Sequence, residues 1–189
     1  MQKTVLALAL TMLIPAFGAA QNANSYRVLA TSKTSTMQKE MQEAGDAGFR
    51  YAAVMGGETA IGGKEVVVVM QKVGQRPVKY EYRLLATNKT STMQKEMQEG
   101  ADAGFRYVGQ TVFESTFGGK EVVCILERDP AGQLLRFEYR LFATTKTSTL
   151  EKELKEAGEG GYEVVGMTVG KTLMGGTELV AITRRRAPK

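Results

Sequence analysis

One short segment, written three times, carries the most suggestive chemistry in the chain. Lys33-Thr34-Ser35-Thr36 returns as Lys89-Thr90-Ser91-Thr92 and as Lys146-Thr147-Ser148-Thr149. Hydroxyls and a cation at the start of a helix, where backbone N–H groups are unpaired, can hold an anion. Lys33, Ser35, Thr36, Lys89, Ser91, Thr92, Lys146, Ser148 and Thr149 are therefore candidate residues for a small anionic ligand or glycan, and three copies would add avidity. Ser and Thr at this place also suit plain helix capping, with Ser35 or Thr36 closing the first turn. A second candidate set is Ile61, Phe117 and Met174, each just before a glycine pair. Exposed at loop tips, these apolar side chains would contact a partner; folded back, they would plug the end of a sheet.

The remaining chemistry is narrowed by what is missing. The 189 residues include 25 Lys+Arg, 20 Asp+Glu, one Cys, and neither His nor Trp. Without His there is no imidazole base and no His-containing metal site. One Cys gives no internal disulfide. The glycine pairs Gly56-Gly57, Gly62-Gly63, Gly118-Gly119 and Gly175-Gly176 lack a following GK[ST], so no nucleotide loop is expected. Cys124 aligns with Val68 and Ala181 in an apolar run and reads as a small core residue. Met37, Met41, Met93 and Met97 have helical spacing and no His or Cys beside them, so they read as packing rather than copper ligands. Glu65, Glu121 and Glu178 are expected to pair with Arg27, Arg83 and Arg140 across a sheet. No enzyme activity, metal or cofactor is expected.

The elements that must position these groups come in a repeating order. Tyr26-Arg27-Val28-Leu29-Ala30-Thr31 recurs at Tyr82 and at Tyr139, 56 and then 57 residues on. Over Tyr26–Arg50 and its second copy, 21 of 25 positions are identical; the third copy matches the second at 13, so it has drifted furthest. Each unit begins with a period-two strand, such as Val78, Tyr80, Tyr82 and Leu84 against Lys79, Glu81 and Arg83. A helix follows, with Met37, Met41 and Ala44 on its apolar stripe and Gln38, Lys39, Gln42 and Glu43 on its wet side. Gly48 is the expected left-handed stop. Two strands complete the unit. The last, as in Val66-Val67-Val68-Val69-Met70, is apolar on both faces and must be covered on both. The helix covers one side, so a neighbouring copy or another subunit must cover the other.

The expected fold is α+β: three tandem βαββ repeats, with an antiparallel or mixed sheet and one helix per repeat. The units span residues 25–74, 78–129 and 135–184. Two strand orders are open. Either the third strand lies between the first and second of its own unit, or it pairs with the first strand of the next through short connectors. Asp129-Pro130-Ala131-Gly132 and Gly74-Gln75-Arg76-Pro77 suit hairpins of the second kind. That order would let Tyr26–Ala30 meet Leu179–Ile182 and close a ring without free edges.

Residues 1–20 read as a signal peptide. Lys3 opens them, an apolar run extends from Val5 to Phe17, and Gly18-Ala19-Ala20 suits cleavage. The expected location is periplasmic or secreted, with no membrane span after cleavage. Nucleic acid is then a poor partner, and an unidentified protein or envelope component a better one; a homo-oligomer is compatible with the pattern.

The third helix and the strand after it, Leu154-Lys155-Glu156-Ala157-Gly158-Glu159-Gly160-Gly161-Tyr162-Glu163-Val164-Val165, carry a resemblance. The segment resembles a bacterial domain family of unknown function whose small units have a helix ending Leu-x-x-Leu-Gly-x-x-Gly-Trp-Glu-Leu-Val. Tyr162, Phe105 and Phe49 stand where that family has Trp, and Ala157 where it has the second Leu. The resemblance implies a βαββ packing unit of bacterial origin and supplies no catalytic residue. The expected role is a non-enzymatic interaction or structural module.

Overall fold

The computed structural model describes residues 25–58, 64–72, 78–87, 89–114, 120–171 and 176–188. Unit 1 comprises β1 (Ser25–Thr31), α1 (Thr34–Asp46), β2 (Arg50–Glu58) and β3 (Lys64–Lys72). Unit 2 comprises β4 (Glu81–Thr87), α2 (Thr90–Asp102), β5 (Arg106–Glu114) and β6 (Lys120–Arg128). Unit 3 comprises β7 (Phe137–Thr144), α3 (Thr147–Glu159), β8 (Glu163–Lys171) and β9 (Thr177–Arg186). The chain is thus α+β, with three strand–helix–strand–strand repeats.

Each unit makes its own antiparallel sheet, in the orders β1-β3-β2, β4-β6-β5 and β7-β9-β8. The doubly apolar strand is central in all three, which leaves it no free edge for the next unit. This decides between the two strand orders: β1 pairs with β3 and not with β9, and no ring closes. The Asp129–Gly132 turn does form, with Gly132 N–H donating to Asp129 O at 3.1 Å, but it leads into a strand of a different sheet. The second connector, residues 74–77, lies outside the described residues.

Both helix ends follow local chemistry. At the C-terminus Gly48, Gly104 and Gly161 have φ of 85°, 84° and 79°, the left-handed conformation that glycine adopts without a Cβ clash. Phe49 N–H reaches Ala44 O at 2.9 Å and Gly48 N–H reaches Gly45 O at 2.9 Å, which closes the last turn. The N-terminus departs from expectation. Lys33, Lys89 and Lys146 are the extended cap residues, without a side-chain cap bond, and Ser35 and Thr36 lie inside the first turn. The backbone turns helical two residues too early for Ser35 to cap and three too early for Thr36, since Lys33 O already accepts the bond from Met37 N–H.

The units stack. Met37, Met41 and Ala44 of α1 pack on Val66, Val68 and Met70 of β3, and the same cluster takes in Tyr82, Val123 and Ile125 from the far face of sheet 2. Met93, Met97 and Ala101 of α2 likewise pack on Val122, Cys124 and Leu126, with Tyr139 and Ile182 supplied by unit 3. α1 and α2 are therefore each held between their own sheet and the back of the next. The preceding copy supplies the second cover that β6 and β9 require, whereas Val67 and Val69 on the outer side of β3 stay half-buried.

Candidate functional site

The stacking depends on a pair of glutamines at i and i+4. Gln38 Nε2 donates to Tyr82 O at 2.8 Å, and Gln38 Oε1 accepts from Leu84 N–H at 2.7 Å. Gln42 Oε1 accepts from Tyr82 N–H at 3.0 Å, and Gln42 Nε2 donates to Tyr80 O at 3.3 Å. The next boundary repeats this: Gln94 bonds Tyr139 O and Leu141 N–H, each at 2.7 Å, while Gln98 bonds Tyr139 N–H at 3.0 Å and Phe137 O at 3.2 Å. The fit is geometric. Four residues of helix advance about 6 Å, and two residues of strand advance about 6.8 Å. Each side-chain amide, with one donor and one acceptor side, replaces a peptide group of a missing neighbouring strand. The outer edges of β4 and β7 are thereby satisfied by helices.

Two further rungs recur at each boundary. Thr34 Oγ1 donates to Glu121 at 2.9 Å, and Thr90 Oγ1 to Glu178 at 2.7 Å. Tyr51 lies over Gly109, and Tyr107 over Gly166, where an added methyl would run into the phenol oxygen. Each ring needs a bare backbone beneath it.

At the outer ends these partners change. In α3 the glutamine positions hold Glu151 and Lys155, which bond each other at 2.7 Å. Val164 stands where Tyr51 and Tyr107 stand, and Ala53 where Gly109 and Gly166 stand. The outer face of sheet 1 nevertheless keeps its apolar surface. Tyr26 is 60% exposed against 4% for Tyr82 and 4% for Tyr139. Val28 and Met55 are also exposed, and Val67 and Val69 are half-buried, whereas Val123, Ile125, Val180 and Ile182 in the corresponding positions are buried.

A buried carboxylate locks units 1 and 2 together. Glu127 Oε1 accepts from Arg50 at 3.2 Å and Arg106 at 2.7 Å; Oε2 accepts from Tyr82 hydroxyl at 3.0 Å and Tyr51 N–H at 3.2 Å. Burial, and then the Glu127 charge, push the Tyr82 hydroxyl well above the usual phenol range, so it stays protonated and donates. Tyr107 is raised by burial first and by neighbouring groups second. A cavity of about 420 Å³ opens beside this junction, lined by Arg50, Tyr80, Arg106, Glu127, Leu134 and Phe137 among others. The Cys124 thiol is fully buried and pushed up to about 12, by burial and then by Glu96, so it is held protonated in the core.

The structure scatters the expected site residues. Lys33, Ser35, Lys89, Ser91, Lys146, Ser148 and Thr149 are exposed, and Thr36 and Thr92 are half-buried. The three segments belong to three separate helix starts, and at α1 and α2 the carboxylate of Glu121 or Glu178 already sits at the first turn. Ile61, Phe117 and Met174 lie outside the described residues. The expected cross-sheet pairs are not formed: Arg27 faces Met70 in the register, and Arg27, Arg83 and Arg140 lie instead over the rings of Phe49, Phe105 and Phe142 at 4.6, 4.8 and 5.2 Å. The sequence pattern puts Gln38 and Gln42 on the wet side of the helix, whereas the structure puts them, with Gln94 and Gln98, at unit boundaries. The signal that distinguishes them is their joint replacement by Glu151 and Lys155 in the last copy. Glu127 gave no such signal.

Among the described residues, no group of His, Cys, Asp and Glu is arranged to hold a metal ion, and no helix is long and apolar enough to cross a membrane. No protein family matches the chain, and no curated protein or solved structure matches it.

Proposed function

We propose that the protein is a non-enzymatic interaction module, exported by its leader to the cell envelope or the secreted space, and that it binds through the outer face of sheet 1. One observation carries this reading. Tyr26 and Val28 stand exposed on a face that the other two units bury against a helix. An apolar sheet face with an open edge strand is a liability for a soluble protein unless something covers it. The absence of His from the sequence and the resemblance to a family without known catalytic residues support the non-enzymatic part. The apolar run before Gly18-Ala19-Ala20 supports export.

The test is a photocrosslinking amino acid at Val28, with Lys152 on the outward face of α3 as the control, in cells that produce the protein. A single defined protein adduct at position 28, absent at 152, is the expected result. No adduct at 28, together with a thermal midpoint raised by phosphate or a glycan, would replace the reading with small-ligand binding.

A further inference from the structure

We infer that the outer face of sheet 1 is a docking site for an amphipathic helix of another protein, one that carries glutamines at i and i+4 with apolar residues just before each. The inference rests on the reading of this face as the binding surface and names its partner. The molecule itself displays the occupant twice. On sheet 2 the seat of Tyr82 and Leu84 is filled by Met37-Gln38 and Met41-Gln42. On sheet 3 the seat of Tyr139 and Leu141 is filled by Met93-Gln94 and Met97-Gln98.

β1 preserves that seat. Its register is the same, with Tyr26 opposite Gln71 and Val28 opposite Val69, as Tyr82 is opposite Glu127 and Leu84 opposite Ile125. The N–H and C=O of Tyr26 and the N–H of Val28 therefore point outward, as those of Tyr82 and Leu84 do toward Gln38 and Gln42. The apolar floor of Val28, Val67 and Val69 matches Leu84, Val123 and Ile125 in shape class and position. Glu65 also corresponds to Glu121 and Glu178, so the carboxylate that takes a hydroxyl at the start of the incoming helix is present.

A second copy of this chain does not supply such a helix. Its α1 and α2 are already held by their own neighbours. Its α3 presents Glu151 and Lys155, two side chains of one polarity each, tied to one another. Neither can accept and donate at once along a strand edge, as an amide does. The Tyr-to-Val change at 164 removes a further contact. Ala53 instead of glycine means that the partner places something smaller than tyrosine over β2.

The test gives the protein the missing helix. In the full chain, Glu151→Gln and Lys155→Gln restore the amides, and Val164→Tyr with Ala53→Gly restores the ring seat. Sedimentation of the wild type is expected to show a monomer. The fourfold variant is expected to form concentration-dependent head-to-tail oligomers, and adding Val28→Lys returns it to a monomer. A fourfold variant with unchanged circular dichroism and thermal midpoint that remains monomeric at the highest concentrations reached overturns the inference. Wild-type oligomers abolished by Val28→Lys also overturn it, because a strand edge or an unaltered α3 then suffices. The two readings fail separately. A defined adduct at Val28 in cells with a monomeric variant removes the helix inference and leaves the binding face; oligomers of the variant without any adduct do the reverse.

Discussion

Tyr26 and Tyr82 begin the same hexapeptide pattern, on the same kind of strand, in the same register against the central strand of a sheet. One is 60% exposed and the other 4%. Nothing in either strand produces that difference. It comes from unit 1, whose α1 gives Tyr82 a packed surface and whose Tyr51 N–H in β2 donates to its hydroxyl, while that hydroxyl donates to Glu127 of its own sheet. In a stacked repeat, the environment of a residue belongs to the neighbouring unit as much as to its own. Duplication copied the strand, but among the described residues no helix meets the outer face of the strand at the open end.

Substitution of the two tyrosines should break the comparison if it is false. Tyr82→Ala removes a buried ring and leaves Glu127 and Tyr51 N–H without the hydroxyl, and should cost about 4 kcal/mol in urea unfolding. Tyr26→Ala should cost less than about 0.5 kcal/mol, as surface changes do. Equal costs would mean that the two faces do not differ as described.

Glu127→Gln sharpens the same comparison from the side of the carboxylate. It leaves Arg50 and Arg106 facing each other across a junction with no negative charge. Both guanidinium groups reach solvent, at 39% and 38% exposure, so a loss of about 3 kcal/mol is expected, at the lower end for a broken buried pair. A loss below about 1 kcal/mol would show that packing and the glutamine ladder hold units 1 and 2 together without the carboxylate. In unit 1 the corresponding Gln71 joins no other unit among the described residues, and Gln71→Glu should be close to neutral.

A smaller loss than at Tyr82 or Glu127 concerns the seat beneath the rings. Gly109→Ala should cost about 1–2 kcal/mol, because the new methyl meets the Tyr51 phenol. Adding Tyr51→Val should recover part of that loss, a coupling that a double-mutant cycle reads directly. The pair would then resemble what the two ends of the array already carry, Ala53 and Val164. Additive costs would separate ring from glycine and remove this rung from the interface.

Much of the unit was legible from local pattern. The alternation around Tyr82, the Met37, Met41 and Ala44 stripe and the glycine at 48 each depend on a period or a backbone angle that a few neighbouring residues set. The doubly apolar runs correctly announced three central strands, and the second cover they imply is present over β6 and β9 but not over Val67 and Val69 of β3. The helix starts two or three residues before the expected cap, because Thr34, Ser35 and Thr36 all favour a cap and only the backbone angles select Lys33. The hairpin expected from the Asp129–Gly132 turn also failed. A turn fixes the direction of the chain over four residues, but it does not say whether the strand before it still has a free edge.

The sequence by itself determined the number of units, the order of elements within each, and the residue types on every face. Those follow from periodicity and local sterics, which act over one or two turns of chain. Only the tertiary structure decided that Gln38 and Gln42 belong to an interface rather than to solvent, that Glu127 is buried, and that β1 is the strand left without a helix. These are long-range facts. A glutamine on a wet stripe and a glutamine on a strand edge look alike in sequence, since the difference lies in a neighbour about 40 residues away that the chain must first fold back to meet.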